Sequence, residues 1–183
     1  MTNARFMRFV DASGYRPTDA ANFLKHEPNV SASEQPVRWV SREDAAAFCS
    51  FEGKRLPRPF ELQRAAGGST RAYPWGDAWD EGAVPPRDTE GSMKPPPDVG
   101  THPLGASPEG VHDLAATIWH ISDTFCDDHT CRTILTGGST YHPTGSAWYF
   151  PQAYRNDEHN TLLQLAPALD RSAAVGFRCV AST

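Results

Sequence analysis

The stretch from Pro36 to Gly68, PVRWVSREDAAAFCSFEGKRLPRPFELQRAAGG, limits the fold of this chain more than any other. Ser41 is a good N-cap, and Asp44 three residues on completes a weak capping box. Ala45, Phe48 and Cys49 recur at the spacing of one helical face, and Gly53 fits the stop of that helix. Lys54-Arg55-Leu56-Pro57 reads as a tight connection, with Pro59 in the first turn of a second helix. That helix turns Leu62, Ala65 and Ala66 inward and ends at Gly67-Gly68. Two short helices with alanine-rich faces pack closely but bury too little to stand alone. The rest of the chain must supply a sheet.

Composition then narrows the class. At 183 residues the chain is expected to form a single domain, and 16 Pro and 14 Gly beside 39% apolar residues predict a loop-rich globule. A net charge of -5 gives no reason to expect nucleic acid or an anionic membrane as partner. No apolar run approaches the ~20 residues that span a bilayer. Met1–Phe9 lacks an apolar signal core, so cytoplasm is the expected location.

Taken in order, Thr2 caps a helix that carries Phe6, Phe9 and Val10 on one face. Tyr73–Asp77 forms a rigid aromatic elbow. Val84–Val99, with Pro85-Pro86 and Pro95-Pro96-Pro97, excludes a central strand and predicts an extended surface loop. Leu114, Ile118 and Trp119 give Val111–Ile121 the apolar bulk of a core strand or turn, while Asp123–Arg132 reads as an exposed polar loop. Ile134-Leu135 before Gly137-Gly138-Ser139 predicts a short buried strand, and Leu162–Leu165 and Val175–Val180 predict the closing strands.

The opening block resembles the signature of the formylglycine-generating enzyme, or sulfatase-modifying factor, superfamily. Four further motifs follow in the family's order: YPWGD at Tyr73–Asp77, GVHDLAATIW at Gly110–Trp119, GGS at Gly137–Ser139 and GFRCV at Gly176–Val180. The resemblance implies an α+β fold, the formylglycine-generating-enzyme-like variant of the C-type lectin fold. Its marks are short twisted antiparallel strands, two packed helices and many ordered loops. The domain covers 1–183. The family places strands before the Thr2–Phe6 segment, so this is either a trimmed part of a longer protein or complex, or a fold without those strands. The resemblance also makes Cys49 and Cys179 neighbours, bridged or free according to compartment. Two buried thiols packing as apolar groups would serve equally.

The resemblance limits the chemistry too. Catalytic members hold copper between two cysteines just after GGS, and Thr140–Tyr154 contains none. Cys126 and Cys131 precede GGS and do not carry over as that pair. Around the central motif the family has an Asn and a Glu suited to calcium; Thr117 and His120 stand there instead. His112, His120, His129, His142 and His159 lack the spacing of a zinc helix. Iron-dependent relatives, the sulfoxide synthases, carry their histidines chiefly in an additional helical domain. The reading is therefore no cofactor, with calcium disfavoured and copper or iron left open. Asp127-Asp128-His129 with Cys131 is the one local cluster that invites a metal assay.

The aromatic stretch after GGS carries the site expectation. Tyr141, His142, Trp148, Tyr149 and Tyr154, with Arg155, His159 and Arg171, offer rings and charges suited to stacking on a polar ligand. Trp148, Tyr149 and Phe150 are consecutive, so some of those rings must point inward. Asp170-Arg171 is expected to act as an internal ion pair or backbone clamp, with Asp170, Cys49 and Cys179 structural. The leading expectation is a non-catalytic, lectin-like domain that binds a protein segment or a small polar molecule, a glycan included. An iron or copper oxidase of the same superfamily is the alternative. A scaffold with variable binding loops is a third reading, against which stands the lack of an asparagine-rich, randomised look.

Overall fold

Ser41 and Asp44 behave as the sequence requires. In the computed structural model, which describes residues 1–25, 33–92, 94–145, 151–164 and 170–182, Asp44 N donates to Ser41 Oγ at 3.2 Å and Ser41 N donates to Asp44 Oδ2 at 2.7 Å. That reciprocal cap starts helix α2, Arg42–Phe51, whose buried face presents Ala45, Phe48 and Cys49. Before it, α1 (Asn3–Ser13) opens on Thr2, whose Oγ1 accepts from Arg5 N, and stops at Gly14 with φ 65°. After it come the two-residue strand β1 (Lys54–Arg55) and α3 (Pro59–Ala65), with Pro59 in the first turn. Glu61 accepts from both Arg55 nitrogens at 2.7 Å and from Arg58 N at 2.7 Å. Those bonds, Arg55's first, hold the Glu61 carboxyl down to about 2.

The described residues of 66–118 run as loop with three short 3-10 turns, as the prolines demand. The sheet follows: β2 (Trp119–Cys126), β3 (Cys131–Thr136), β4 (Asn160–Leu163) and β5 (Val175–Phe177), in the spatial order β4-β3-β2-β5. A last strand, β6 (Val180–Ala181), pairs with β1 through Arg55↔Val180 and Lys54↔Ala181. The tail therefore closes over the early helices, and Cys49 and Cys179 are joined by a disulfide.

The aromatic core lies between α1, α2 and the sheet. Phe48 sits 5.7 Å from Phe6, 5.5 Å from Phe9 and 5.6 Å from Phe177 between ring centroids. Phe6, Phe48 and Phe177 are almost wholly removed from water, and each such ring contributes roughly 2–3 kcal/mol of burial. The two helices of the opening block thus find the sheet they need.

Two features differ from the sequence reading, and a third decides between its alternatives. Asp123–Arg132 is not a free loop but the end of a hairpin, since β2 and β3 pair again after a bulge between Ile121 and Thr124 and stay paired to Cys126↔Cys131. Polar side chains there face water on both sides, so hydrophobic alternation could not announce the strands. The strands are not all antiparallel either: β5 joins β2 in parallel, Trp119 opposite Val175, because the chain re-enters from the same end after a long crossover. Finally, of the strand or turn expected here, Val111–Ile118 takes the irregular course. Asp113 and Ala116 hold φ of 57° and 59°, which breaks a strand before Trp119.

Candidate functional site

Trp119, Leu135 and Val175 lie on the face of the sheet that carries Ile121 and Phe177. The helices cover that face at Ile121 and Phe177; its other end borders a cleft of about 640 Å³. Trp119, Leu135, Leu162 and Val175 make an apolar floor, and Arg38, Gln152 and Asn160 are among the polar groups around it. A pocket of this volume, mostly apolar with a few placed polar groups, suits a small molecule.

The rim is built by the glycine turn after β3. Ala116 N donates to Gly137 O at 2.7 Å, and a Cβ on Gly137 would lie 2.2 Å from the Leu114 carbonyl oxygen. A Cβ on Gly138, which holds φ 67°, would meet the Tyr154 ring at 2.5 Å. Only glycine allows both approaches. The exit from the turn is tied by Gln152, whose Oε1 accepts from Ser139 N at 2.9 Å and whose Nε2 donates to Tyr141 O at 2.8 Å. Residues 140–144 then run beside the proline-rich loop, with Asp88 N donating to Thr140 O and His142 N donating to Asp88 O. Ser139 Oγ, buried beside the cleft, has no hydrogen-bond partner among the described residues, so none of those is placed as a base to activate it.

The residues expected to form one ligand face are divided by the structure. Tyr141, Asp170 and Arg171 border the cleft. Tyr154 turns behind the glycine turn, its hydroxyl donating to Ser139 O at 3.1 Å and its ring 5.3 Å from Trp79. Burial raises its pKa to about 12. Arg155 pairs with Asp157 at 2.9 Å on the surface, His142 is half-buried beside Asp88, and His159 is exposed. Trp148, Tyr149 and Phe150 lie outside the described residues.

Arg171 requires a correction. Its carboxylate partner is Asp44, 127 residues away, not the adjacent Asp170. Its Nε and Nη2 donate to Asp44 at 2.9 and 3.3 Å, and Nη1 donates to Ala21 O at 2.7 Å. Tyr15 donates its hydroxyl to the same carboxylate at 2.8 Å. Desolvation, reinforced by that bond, pushes the Tyr15 pKa well above its usual value. Each of the three guanidinium nitrogens thus makes a hydrogen bond, and the group also lies 5.4 Å from the centroid of the Phe23 ring.

The donors present can be set against the metals that such a fold implies. Cys126 and Cys131 are joined to each other, and Cys49 to Cys179, so the cysteines offer no thiolate pair for copper. His120 occupies the place of the calcium carboxylate. It is buried, its Nε2 donates to Asp113 O at 2.8 Å, and burial followed by the nearby Arg178 charge lowers its pKa well below 6.5. A neutral imidazole does not fit calcium. Among the described residues no three His, Cys, Asp or Glu side chains converge on a point. Asp127, in the cluster singled out above, is engaged by His129 N at 2.8 Å and Thr130 N at 2.7 Å.

Sequence reasoning missed Arg38, Trp119, Gln152 and Asn160 as cleft residues. Arg38 left one trace, a charge inside the apolar run Val37–Val40. It is buried, and its Nη1 donates to Ala173 O at 3.0 Å.

Comparison with known proteins is decisive for the family. The model of the sulfatase-modifying factor enzyme 1-like domain matches residues 1–183. The chain belongs to the sulfatase-modifying factor family. Among similar family members, the hercynine oxygenase of Mycolicibacterium thermoresistibile is 29% identical over 148 residues, which are 65% of this chain and 33% of that protein. The formylglycine-generating enzyme of Thermomonospora curvata is 30% identical over 192 residues, 90% of this chain and 60% of that enzyme. The inactive C-alpha-formylglycine-generating enzyme 2 of Mus musculus is 27% identical over 165 residues, 81% of this chain and 50% of that protein. This sulfatase-modifying factor domain thus spans from a third to about three fifths of the length of these relatives. The crystal structure of CarF superposes with a TM-score of 0.63 at 15% identity, covering 97% of this chain and 80% of that one. At that identity the likeness speaks for the fold alone.

Proposed function

We propose that this domain is a recognition module whose cleft holds a small polar ligand with a flat apolar part. The observation that carries the reading is the pairing of an apolar floor, Trp119, Leu135 and Val175, with polar side chains at Arg38, Gln152 and Asn160 around 640 Å³ of space. A glycan or the side chain of a protein segment has the same chemistry, an apolar face edged by hydrogen-bonding groups. Nucleic acid and membrane surfaces are not proposed as partners, given a net charge of -5.

The test is a ligand screen by thermal shift on the full chain, with glycans and zwitterionic ring-bearing metabolites, repeated on Trp119→Ala. A ligand that stabilises the parent chain and fails on the variant supports the module. Ligands that bind both equally place recognition elsewhere.

A second reading, the ligand-holding part of a metal-dependent oxygenase, is favoured by the likeness to hercynine oxygenases, of which the chain spans a third. The metal would then be held by residues outside the described set. Stoichiometric iron or copper in protein purified without chelator would favour this reading over the first. Location belongs to the same proposal. No helix among the described residues is long and apolar enough to cross a membrane. A cytoplasmic home requires the paired cysteines to persist against a reducing thiol pool, which thiol counting on freshly extracted protein checks.

A further inference from the structure

The two disulfides occupy opposite environments. Cys49 is wholly buried in the aromatic core, and its partner Cys179 is half-buried beside β6. Cys126 is exposed at the end of β2, and its half-buried partner Cys131 opens β3 across a four-residue turn, 127–130. We propose that the Cys126–Cys131 pair is a thiol–disulfide exchange site that takes a dithiol reductant while Cys49–Cys179 stays closed.

Access comes first. A thiolate must approach a sulfur along the bond it breaks, and exposed disulfides are the labile ones. Cys126 offers that approach, whereas a reagent would have to open the Phe6–Phe48–Phe177 cluster to reach Cys49.

The hairpin also keeps its shape without the bond. Asp127 N donates to Thr130 O at 2.9 Å, and the Asp127 carboxylate accepts from His129 N and Thr130 N. Those backbone bonds, His129's first, hold the Asp127 carboxyl below its usual range, so the clasp stays ionised under ordinary conditions. Thr124↔Thr133 and Phe125↔Arg132 continue the ladder below the bridge. Opening the bond therefore leaves two sulfurs on facing residues whose Cα atoms stand 4.1 Å apart. The pair is built to open and to close again.

The step balances with one reductant. A thiolate of the dithiol attacks Sγ of Cys126, forming a mixed disulfide and releasing Cys131 as thiolate. The second thiol of the reductant then attacks its own sulfur in the mixed bond and releases Cys126. Two electrons and two protons pass to the protein, and the dithiol leaves as a disulfide. This site is independent of the ligand reading of the cleft, since neither cysteine borders it.

The experiment titrates the folded full chain with dithiothreitol, alkylates the free thiols and maps them by peptide mass spectrometry, with near-ultraviolet circular dichroism in parallel. Cys126 and Cys131 are expected to label together at a reductant concentration at least about tenfold lower than Cys49 and Cys179, with the spectrum unchanged. Labelling of all four at one concentration, or of Cys49 and Cys179 first, would overturn the proposal. Loss of the spectrum as Cys126 and Cys131 label would overturn it too. A second measurement uses Cys131→Ser, which leaves Cys126 unpaired: oxidised glutathione is expected to add one adduct at Cys126. An intact free thiol that gives no adduct counts against the site.

Discussion

The closure of the tail over α2 and the tip of the β2–β3 hairpin are both cross-linked by cysteine, yet the bonds do different things. Cys49–Cys179 spans 130 residues of sequence and Cys126–Cys131 spans 5. By the chain-entropy estimate the first stabilises by about 5 kcal/mol and the second by about 2 kcal/mol. Around the first, Asp44, Arg171 and the phenylalanine rings are buried and mutually committed. Around the second, the turn is closed by its own backbone and by one aspartate. A cross-link contributes according to what it spans and what surrounds it, and here only the long one holds distant chain segments together.

The largest test of this contrast removes each bond in turn. Cys49→Ala with Cys179→Ala should lower unfolding free energy by roughly 5 kcal/mol, against about 2 kcal/mol for Cys126→Ala with Cys131→Ala, both read from denaturant midpoints. Equal losses would erase the distinction. Next in size is Arg171→Ala, which leaves the Asp44 carboxylate buried without its cation and should cost about 3–5 kcal/mol. A loss near zero would mean that the disulfide alone closes the tail. Gly138→Ala follows. Its methyl would press on the Tyr154 ring at 2.5 Å in a left-handed backbone, at a cost of roughly 2–3 kcal/mol in the same assay.

The smallest effect is a pH slope. His120 is buried with its pKa well below 6.5. As pH falls through about 6.5, this imidazole takes a proton in the unfolded chain that it refuses in the folded one, so its contribution to stability is full above that pH and declines below it, by at most about 1.4 kcal/mol per pH unit. His120→Asn should make the curve shallower between pH 6.5 and 5.5, measured by denaturant unfolding at each pH, and leave the slope due to the Met1 amino group, which burial holds down to about 5. The hairpin tip should add nothing over the same window, because the Asp127 carboxyl is held low.

Much of the fold was legible because its signals are local. Ser41 with Asp44, Pro59, Thr2 and the Gly137-Gly138 turn each act within a few residues, and the structure keeps each of them. The hairpin tip was not legible, since Asp123–Arg132 draws its strand character from a partner and not from its own pattern. The cleft was half legible. Tyr141 and Arg171 border it, but its floor joins Trp119 and Leu135, from the β2–β3 hairpin, to Val175, which only the parallel crossover brings beside them. Tyr154 and Arg155, both expected in the ligand face, lie behind the glycine turn.

Sequence alone determined the caps, the turns, the family motifs and the return of the tail to the early helices, because each depends on residue type at short range or on an ordered set of such signals. Tertiary structure decided that Arg171 answers Asp44, that Cys126 meets Cys131 across a hairpin, and which side chains share the cleft. Those outcomes depend on which distant surfaces exclude water together, and no single stretch of chain carries that information.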